Sequence, residues 1–263
     1  AAFLLKKAGY DVIGITGLMF GSENSTGSIQ KALEICRIIG IPHEVIDLRI
    51  EFNESVIKYF EESYIKGLTP NPCVVCNRTI KWGKIKEYAF DKLGVEFFAT
   101  GHYAKIVNDN GLLKLTKAAD SKKDQIYMLF GLTQNDLSKT IFPLADLTKD
   151  QIRNIAEQNG LPCSKSKDSQ DICFIPRPET TKKYLINRFG EKTGHIIEKK
   201  SGKVLGTHNG AFYYTFGQRK GIGIAAIEPL YVISTDPVKN IVYVGTKSEL
   251  FRYSLEIEGM NWQ

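Results

Sequence analysis

The sequence predicts an α/β protein in which a parallel sheet covered by helices on both faces is followed by a smaller β-rich domain. Three observations carry this. In the first half, apolar runs such as "DVIGITGLMF", "HEVIDL" and "VEFFAT" alternate with helical patterns, and strands of this kind belong to parallel sheets buried on both sides. The 263 residues, 43% hydrophobic and 24% charged, suffice for a sizeable core and more than one domain. After Gly190 short strands punctuated by Gly, Pro and Asn replace the helical periods, as in "PLYVISTDPVKNIVYVGT". The boundary is placed near Pro176.

The opening "AAFLLKKAGY" reads as a helix with Ala1, Leu4, Leu5 and Ala8 on one face and Gly9 ending it. A helix running straight into the buried strand at 11–18 sits inside a βα repeat, so a strand and loop are expected ahead of Ala1. "GSENSTGS" reads as a loop. A helix follows over 28–39 with Leu33, Cys36 and Ile39 inward and Gly40 at its end. "HEVIDL" is a strand, "EFNESVIKYFEESYIKG" a helix, and "RTIKWGKIKEYAFDKLG" a helix interrupted by Gly83 and stopped by Gly94. "VEFFAT" then delivers His102 at a strand's carboxyl end, where such sheets bind ligands. "YAKIVNDNGLLKLTKA" is a hairpin turning at Asn110-Gly111, and "KKDQIYMLFGL" begins a short helix. Thr148 caps the helix of "LTKDQIRNIAEQNG", and Pro178 starts the last helix. "LPCSKSKDSQDICFIP" is a polar connection and "AFYYTFGQRKGIGI" part of the β domain. "YSLEIEGMNWQ" ends in mid-strand pattern.

No apolar run approaches the roughly 20 residues of a membrane span, so no membrane partner is expected. Five cysteines without a secretory signal favour reactive or metal-binding thiols in a reducing cytoplasm. The net charge of +6 suits a polyanion such as RNA but does not by itself require one. "TPNPCVVCN" places Cys73 and Cys76 in a C-x-x-C that zinc sites, redox pairs and clusters all share.

Taken together and in order, "TPNPCVVCN", "ATGHYAKI", "DSKKDQIYML", "KDSQDICFI" and "GQRKGIGI" resemble the tRNA-specific 2-thiouridine synthetases, which place sulfur on the wobble uridine of certain tRNAs. The resemblance implies an N-type ATP pyrophosphatase (Rossmann-like) domain over 1–176, a small central β-rich domain over 177–253, and the start of a C-terminal β-barrel over 254–263. The family's phosphate loop would precede Ala1, and the rest of its barrel would follow Gln263.

The implied chemistry uses ATP with Mg2+ to adenylate the uridine O2, turning a poor leaving group into a good one before sulfur replaces it. Gly17 and Gly101 match positions where nucleotide approaches the backbone. Asn71, Pro72 and Cys73 match the segment that meets the target base, and a proline-fixed loop would lose little entropy on holding it. His102 matches a tRNA contact, as do Lys123, Asp124 and Gln125, with lysine suited to phosphate and glutamine to a base edge or 2′-OH. Arg219 and Lys220, in a glycine-rich turn, would track RNA backbone. Cys76 and Cys173 match the paired catalytic cysteines, one carrying sulfur and the other resolving it. The sulfur donor would be a persulfide carrier protein or hydrosulfide.

This chain departs from the family in one respect: Cys73 stands where most members have aspartate. Cys73, Cys76 and Cys173 then form a three-thiolate set suited to a [4Fe–4S] cluster, whereas a persulfide relay needs only Cys76 and Cys173. His43, His195, His208 and Cys36 read as structural, and Cys163 as a packing cysteine. Two other functions compete. One is a different ATP pyrophosphatase, such as an amide-forming synthetase, which has no use for the cysteines. The other is an RNA-binding protein with structural zinc on Cys73, Cys76, Cys163 and Cys173, a spacing unusual for a zinc ribbon.

Overall fold

The computed structural model describes residues 1–21, 23–165, 172–176 and 178–261, with backbone alone at 23–26 and 165. The "KDSQD" part of the fourth motif lies outside the described residues. The chain divides into two units. Ala1–Val56, Pro72–Ile172 and Met260–Gln263 make the first, and Ile57–Asn71 with Cys173–Gly259 the second.

The first unit is α/β with parallel strand pairs. Helix α1 (Ala2–Lys7) leads to β1 (Gly14–Leu18), α2 (Glu23–Ile39) and β2 (His43–Asp47), and β1 pairs in parallel with β2 from Gly14↔His43 to Leu18↔Asp47. Helix α2 packs closely on β1: a Cβ at Gly14 would stand 2.6 Å from Cys36 Sγ, so only glycine fits there. The helix starts earlier than expected, because Asn, Ser, Thr and Gly are weak rather than absolute opponents of helix. Its inward stripe is Ala32, Ile35, Cys36 and Ile39. Leu33 lies about 100° from Ala32 at 100° per residue, off that stripe, and is 47% exposed rather than inward.

After α3 (Arg49–Phe52) and a π-wound turn, Asn53–Ile57, the chain enters the second unit at α4 (Lys58–Ile65). It returns to the first as α5 (Pro72–Cys76), a π-wound segment Asn77–Ile85, and α6 (Lys86–Leu93), closed by Gly94 in the left-handed conformation. This corrects the expected loop. The C-x-x-C occupies the opening turn of a helix, with Pro72 in its first position, where the missing N–H costs nothing. Gly83 does not interrupt the helix but lies within its π-wound part.

The expected strand at 95–100 contracts to β3 (Phe98–Ala99), paired in parallel with β6 (Thr140–Ile141). The hairpin β4 (Lys105–Asp109) and β5 (Leu112–Thr116) turns at Asn110 and Gly111, both at positive φ. Helix α7 (Gln134–Ser138), which no apolar period announced, is fixed by a Thr133–Asp136 capping box. Helix α8 (Lys149–Gln158) has the expected Thr148 cap. Trp82 ties the layers together: its Nε1 donates to Thr140 Oγ1 at 2.8 Å, and that hydroxyl donates to the Asp136 carbonyl at 2.7 Å.

The second unit is β-rich. Helix α9 (Thr181–Phe189) starts after Pro178, because the Thr180 hydroxyl supplies the cap by accepting from Lys183 N. Strands β7 (Gly194–Glu198), β8 (Val204–His208), β9 (Tyr231–Asp236) and β10 (Ile241–Gly245) form one sheet in the order β8-β7-β10-β9. Ile196, Val232, Val242 and Val244 are fully buried at its core. "AFYYTFGQRKGIGI" forms a 3-10 turn at Ala211–Tyr213 and loops rather than strand, with Gly217, Gly221 and Gly223 at positive φ. Residues 251–261 form no strand either.

Candidate active site

A cleft of about 930 Å³ opens along β1 and β3, lined among others by Gly17, Lys81, Gly101, His102 and Gln125. It runs the length of both strands and brings together sequence-predicted residues from early and later parts of the first unit.

The two glycines differ. A Cβ on Gly17 would stand 3.2 Å from Ile85 Cδ1 and 3.4 Å from Leu48 Cδ1, so packing alone accounts for glycine there. At Gly101 it would meet only Leu144 Cδ1, at an ordinary 3.7 Å, and the residue is exposed. Packing therefore does not account for glycine at Gly101.

His102 stands between Trp82 and Phe142, with ring centroids 5.6 and 6.4 Å away. Its Nδ1 shares a 2.8 Å hydrogen bond with Thr100 Oγ1. Burial, and secondarily the Lys81 ammonium, lower its pKa to about 3. The imidazole is therefore neutral at physiological pH, and Lys81 supplies the positive charge to the cleft.

The Lys123-Asp124-Gln125 segment runs beside it. Gln125 Oε1 accepts from Tyr103 N and Gln125 N donates to the Tyr103 carbonyl, both at 3.0 Å, so this glutamine fastens the chain just past His102. Asp124 Oδ1 accepts from Ile126 N at 3.3 Å, while its Oδ2 is buried without a hydrogen-bond partner among the described residues.

The cysteine helix is joined to the same segment. Asn77, only 2% exposed, donates from Nδ2 to the Met128 carbonyl at 2.8 Å. Cys73 lies four residues earlier, on the same helix face. Cys73 is exposed, and Pro72 and Cys76 are buried. Asn77, Lys81 and Thr100 were not singled out in the sequence. Asn77 carried a signal, because asparagine in a helix interior opposes local propensity and needs a tertiary reason.

In the second unit Cys173 is exposed, and the next residues, Phe174 and Ile175, are buried at 8% and 6%. The Phe174 ring lies edge-on to Phe60 at 5.2 Å and to Tyr184 at 6.0 Å, so an aromatic cluster holds the segment that presents the thiol. Arg219 and Lys220 are exposed. Their turn is braced by Gln218, which accepts from Thr215 N and donates to the Lys220 carbonyl. Asn71 ends the part of the second unit that precedes Pro72.

A family model described as "tRNA methyl transferase HUP domain" matches residues 1–177, and one described as "tRNA methyl transferase PRC-barrel domain" matches residues 182–246. Among curated relatives, tRNA-specific 2-thiouridylase MnmA 1 of Fusobacterium nucleatum is 44% identical over 262 residues, covering 99% of this chain and 69% of that protein. The MnmA of Gloeothece citriformis is 43% identical over 267 residues, covering 100% of this chain and 76% of its own length. The chain belongs to the tRNA-specific 2-thiouridylase family. The HUP match, a Rossmann-like α/β fold, covers nearly all of the first unit together with Ile57–Asn71, and the β-rich unit carries the segment matched as a PRC barrel.

Family membership sharpens the question of the thiols. Among the described residues, no group of three or more His, Cys, Asp or Glu side chains could hold a metal ion. Cys73 and Cys76 offer two thiolates on one helix. No helix among the described residues is long and apolar enough to cross a membrane.

Proposed function

We propose that the chain catalyses ATP-dependent 2-thiolation of the wobble uridine of tRNA, in the cytoplasm. The observation that carries this reading is one arrangement in the first unit. A nucleotide-sized cleft that runs along two strands and reaches Gly101, Lys81 and His102 adjoins a turn that Asn77 fastens to the cysteine helix. Pockets of this volume suit such ligands.

ATP, with Mg2+, supplies the activation that makes the uridine O2 a leaving group. Gly101 leaves the backbone open to nucleotide, and Lys81 faces its negative charge. The neutral His102 contributes a ring and a hydrogen-bonding nitrogen rather than a second cation. Lys123 meets tRNA phosphate, and Asn71, Pro72 and Cys73 border the target base.

Sulfur transfer falls to Cys173 and Cys76. The exposed Cys173 is accessible to a donor, either a persulfide carrier or hydrosulfide with an oxidant. Its terminal persulfide sulfur attacks C2 of the activated base, and AMP leaves. The Cys76 thiolate then attacks Cys173 Sγ, forming a disulfide and releasing thiouridine, and an external thiol resets the pair. A relay needs successive contacts, whereas a cluster needs three thiolates held at once. The relay uses Cys76 and Cys173 alone, and the exposure of Cys173 to a donor supports it.

The test is tRNA thiolation by protein prepared without oxygen, with iron and sulfide measured on the same samples. The relay predicts loss of activity of about a thousandfold or more in Cys76→Ala and Cys173→Ala, with Cys73→Ala active and iron-free. Iron and sulfide lost together in all three variants would replace the relay by the cluster. Absence of ATP-dependent thiolation in the parent chain would overturn the function itself, and methylation of tRNA from S-adenosylmethionine would support the transfer named by the family models.

A further inference from the structure

Cys73 and Cys76 share the helix turn Pro72–Cys76, yet sulfur transfer employs only the second of them. Residues three apart on an α-helix have Cα atoms about 5 Å from one another, inside the range of roughly 4.4–6.8 Å that a disulfide bridges. Their side chains are neighbours on one helix face. Cys73 also lies in the opening turn, whose N–H groups have no intrahelical partner. It can therefore move toward Cys76 without giving up an N–H bond of the helix.

The two thiols differ in exposure. Cys73 is exposed, whereas Cys76 is buried at 8%. An outer thiol paired with a shielded one is the arrangement of a dithiol that exchanges with external thiols: the partner attacks the outer sulfur, and the inner sulfur is the leaving group. A side chain that only bordered a base would need neither a thiol nor this spacing.

We propose that Cys73 and Cys76 form a dithiol–disulfide exchange site, in which Cys73 resolves the disulfide that sulfur transfer leaves behind. The proposal rests on the thiolation reading with its cysteine relay, and adds the step that frees Cys173. After transfer, the oxidation resides in the Cys76–Cys173 disulfide. The Cys73 thiolate attacks Cys76 Sγ. A Cys73–Cys76 bond forms, the Cys76–Cys173 bond breaks, and Cys173 departs as a thiolate. This step moves the disulfide without any net gain or loss of electrons. An external dithiol then attacks the exposed Cys73 Sγ, and Cys76 leaves as a thiolate. The second thiol of that reductant displaces Cys73, so the reductant is oxidised to its own disulfide and supplies both electrons. Cys173 is thus ready for the next sulfur while the oxidation waits on a single helix turn of the first unit.

The experiment follows one turnover of the 263-residue chain with ATP, tRNA and inorganic polysulfide as sulfur source, in the absence of a reducing thiol. The sample is quenched in acid, alkylated and mapped as non-reduced peptides. The parent should carry a Cys73–Cys76 disulfide and an alkylated Cys173. Cys73→Ser should instead retain the Cys76–Cys173 disulfide. In repeated turnover it should be several-fold slower at limiting dithiol, a deficit that shrinks as dithiol is raised. A merely structural role for Cys73 would give no such dependence on dithiol. Diamide, an oxidant of thiol pairs, should produce the Cys73–Cys76 disulfide in the parent without tRNA. A parent that thiolates tRNA but keeps Cys73 alkylated, with its oxidation on Cys76 and Cys173, overturns the exchange and leaves the relay standing. Failure of diamide to link Cys73 to Cys76 overturns it too, as does iron with sulfide held by all three cysteines. A parent that thiolates no tRNA but forms the Cys73–Cys76 disulfide with diamide counts against the thiolation reading and supports the exchange pair.

Discussion

The two units present their functional groups in different ways. In the first, regular structure does the positioning. Cys73 and Cys76 ride on the opening turn of α5, and Gly101 and His102 follow β3. In the second, Cys173 and Arg219 stand outside helix and strand, and side chains do the positioning. Phe174 is gripped by Phe60 and Tyr184, and Gln218 braces the basic turn. The chain passes between units just before Pro72 and again just before Cys173. Both cysteine-bearing segments therefore begin at a crossing, but only one begins a helix. A group on a helix keeps its place if a neighbouring side chain is lost, whereas a group on an irregular segment depends on its anchors.

The most direct way to break that contrast is to remove an anchor. Phe60 is fully buried against Tyr64, Phe174 and Tyr184. Phe60→Ala should cost about 3–5 kcal/mol, as expected for a truncated core aromatic, read from denaturant unfolding. Before global unfolding, amide exchange and proteolysis should rise around 173–176 while Trp82 fluorescence, next to His102 in the cleft, stays as in the parent. If the Trp82 signal changes in step with the 173–176 segment, the units do not hold their sites independently and the contrast fails.

A pH titration probes the first unit from the other side. His102 is neutral in the folded protein because its pKa is lowered from 6.5 to about 3, whereas the unfolded chain protonates it near the ordinary value. Between those limits the unfolded state binds the extra proton, so stability falls as pH drops through the window. The contribution is roughly 5 kcal/mol across it, at 1.36 kcal/mol per pKa unit. His102→Gln should flatten the dependence of unfolding free energy between pH 6.5 and 3. In the second unit burial lowers the His208 pKa too, so a residual slope of the same sign should persist. A slope unchanged by His102→Gln would mean that the ring is protonated in the folded state and that the cleft is wetter than its aromatic walls imply.

Much of this was legible locally. Asn110-Gly111 gave the hairpin because both residues tolerate positive φ, Thr148 and Gly94 marked helix ends, and alternation of strand and helix gave the α/β class. What was not legible depends on partners distant in sequence. Pro72 looked like loop because Pro-Cys-Val-Val-Cys has no helical period and holds two β-branched valines at its centre. Only its packing against the 126–128 turn, through Asn77, makes it helix. The pairing of β3 with β6 joins residues some forty apart, each too short to announce a strand. For the site, the order of motifs pointed to Gly101, His102 and the Lys123 segment. The engagement of Gln125 by Tyr103, the contribution of Lys81 and the packing explanation for Gly17 needed coordinates.

The smallest effect sharpens the comparison most, because it asks whether one RNA uses both units. Lys123 lies in the first unit and Arg219 in the second. If each meets a tRNA phosphate, replacing either by alanine removes one released counterion and reduces the slope of log affinity against log salt by about 1. At moderate salt the loss in affinity is then several-fold and independent of tRNA sequence. The double variant should lower the slope by about 2, one released counterion for each phosphate contact removed. A drop for Lys123→Ala alone would confine the RNA to the helix-positioned unit and leave the Gln218-braced turn as ordinary surface. A drop for Arg219→Ala alone would place the RNA backbone on the side-chain-positioned unit. Equal drops for both would show that one RNA engages both modes of presentation.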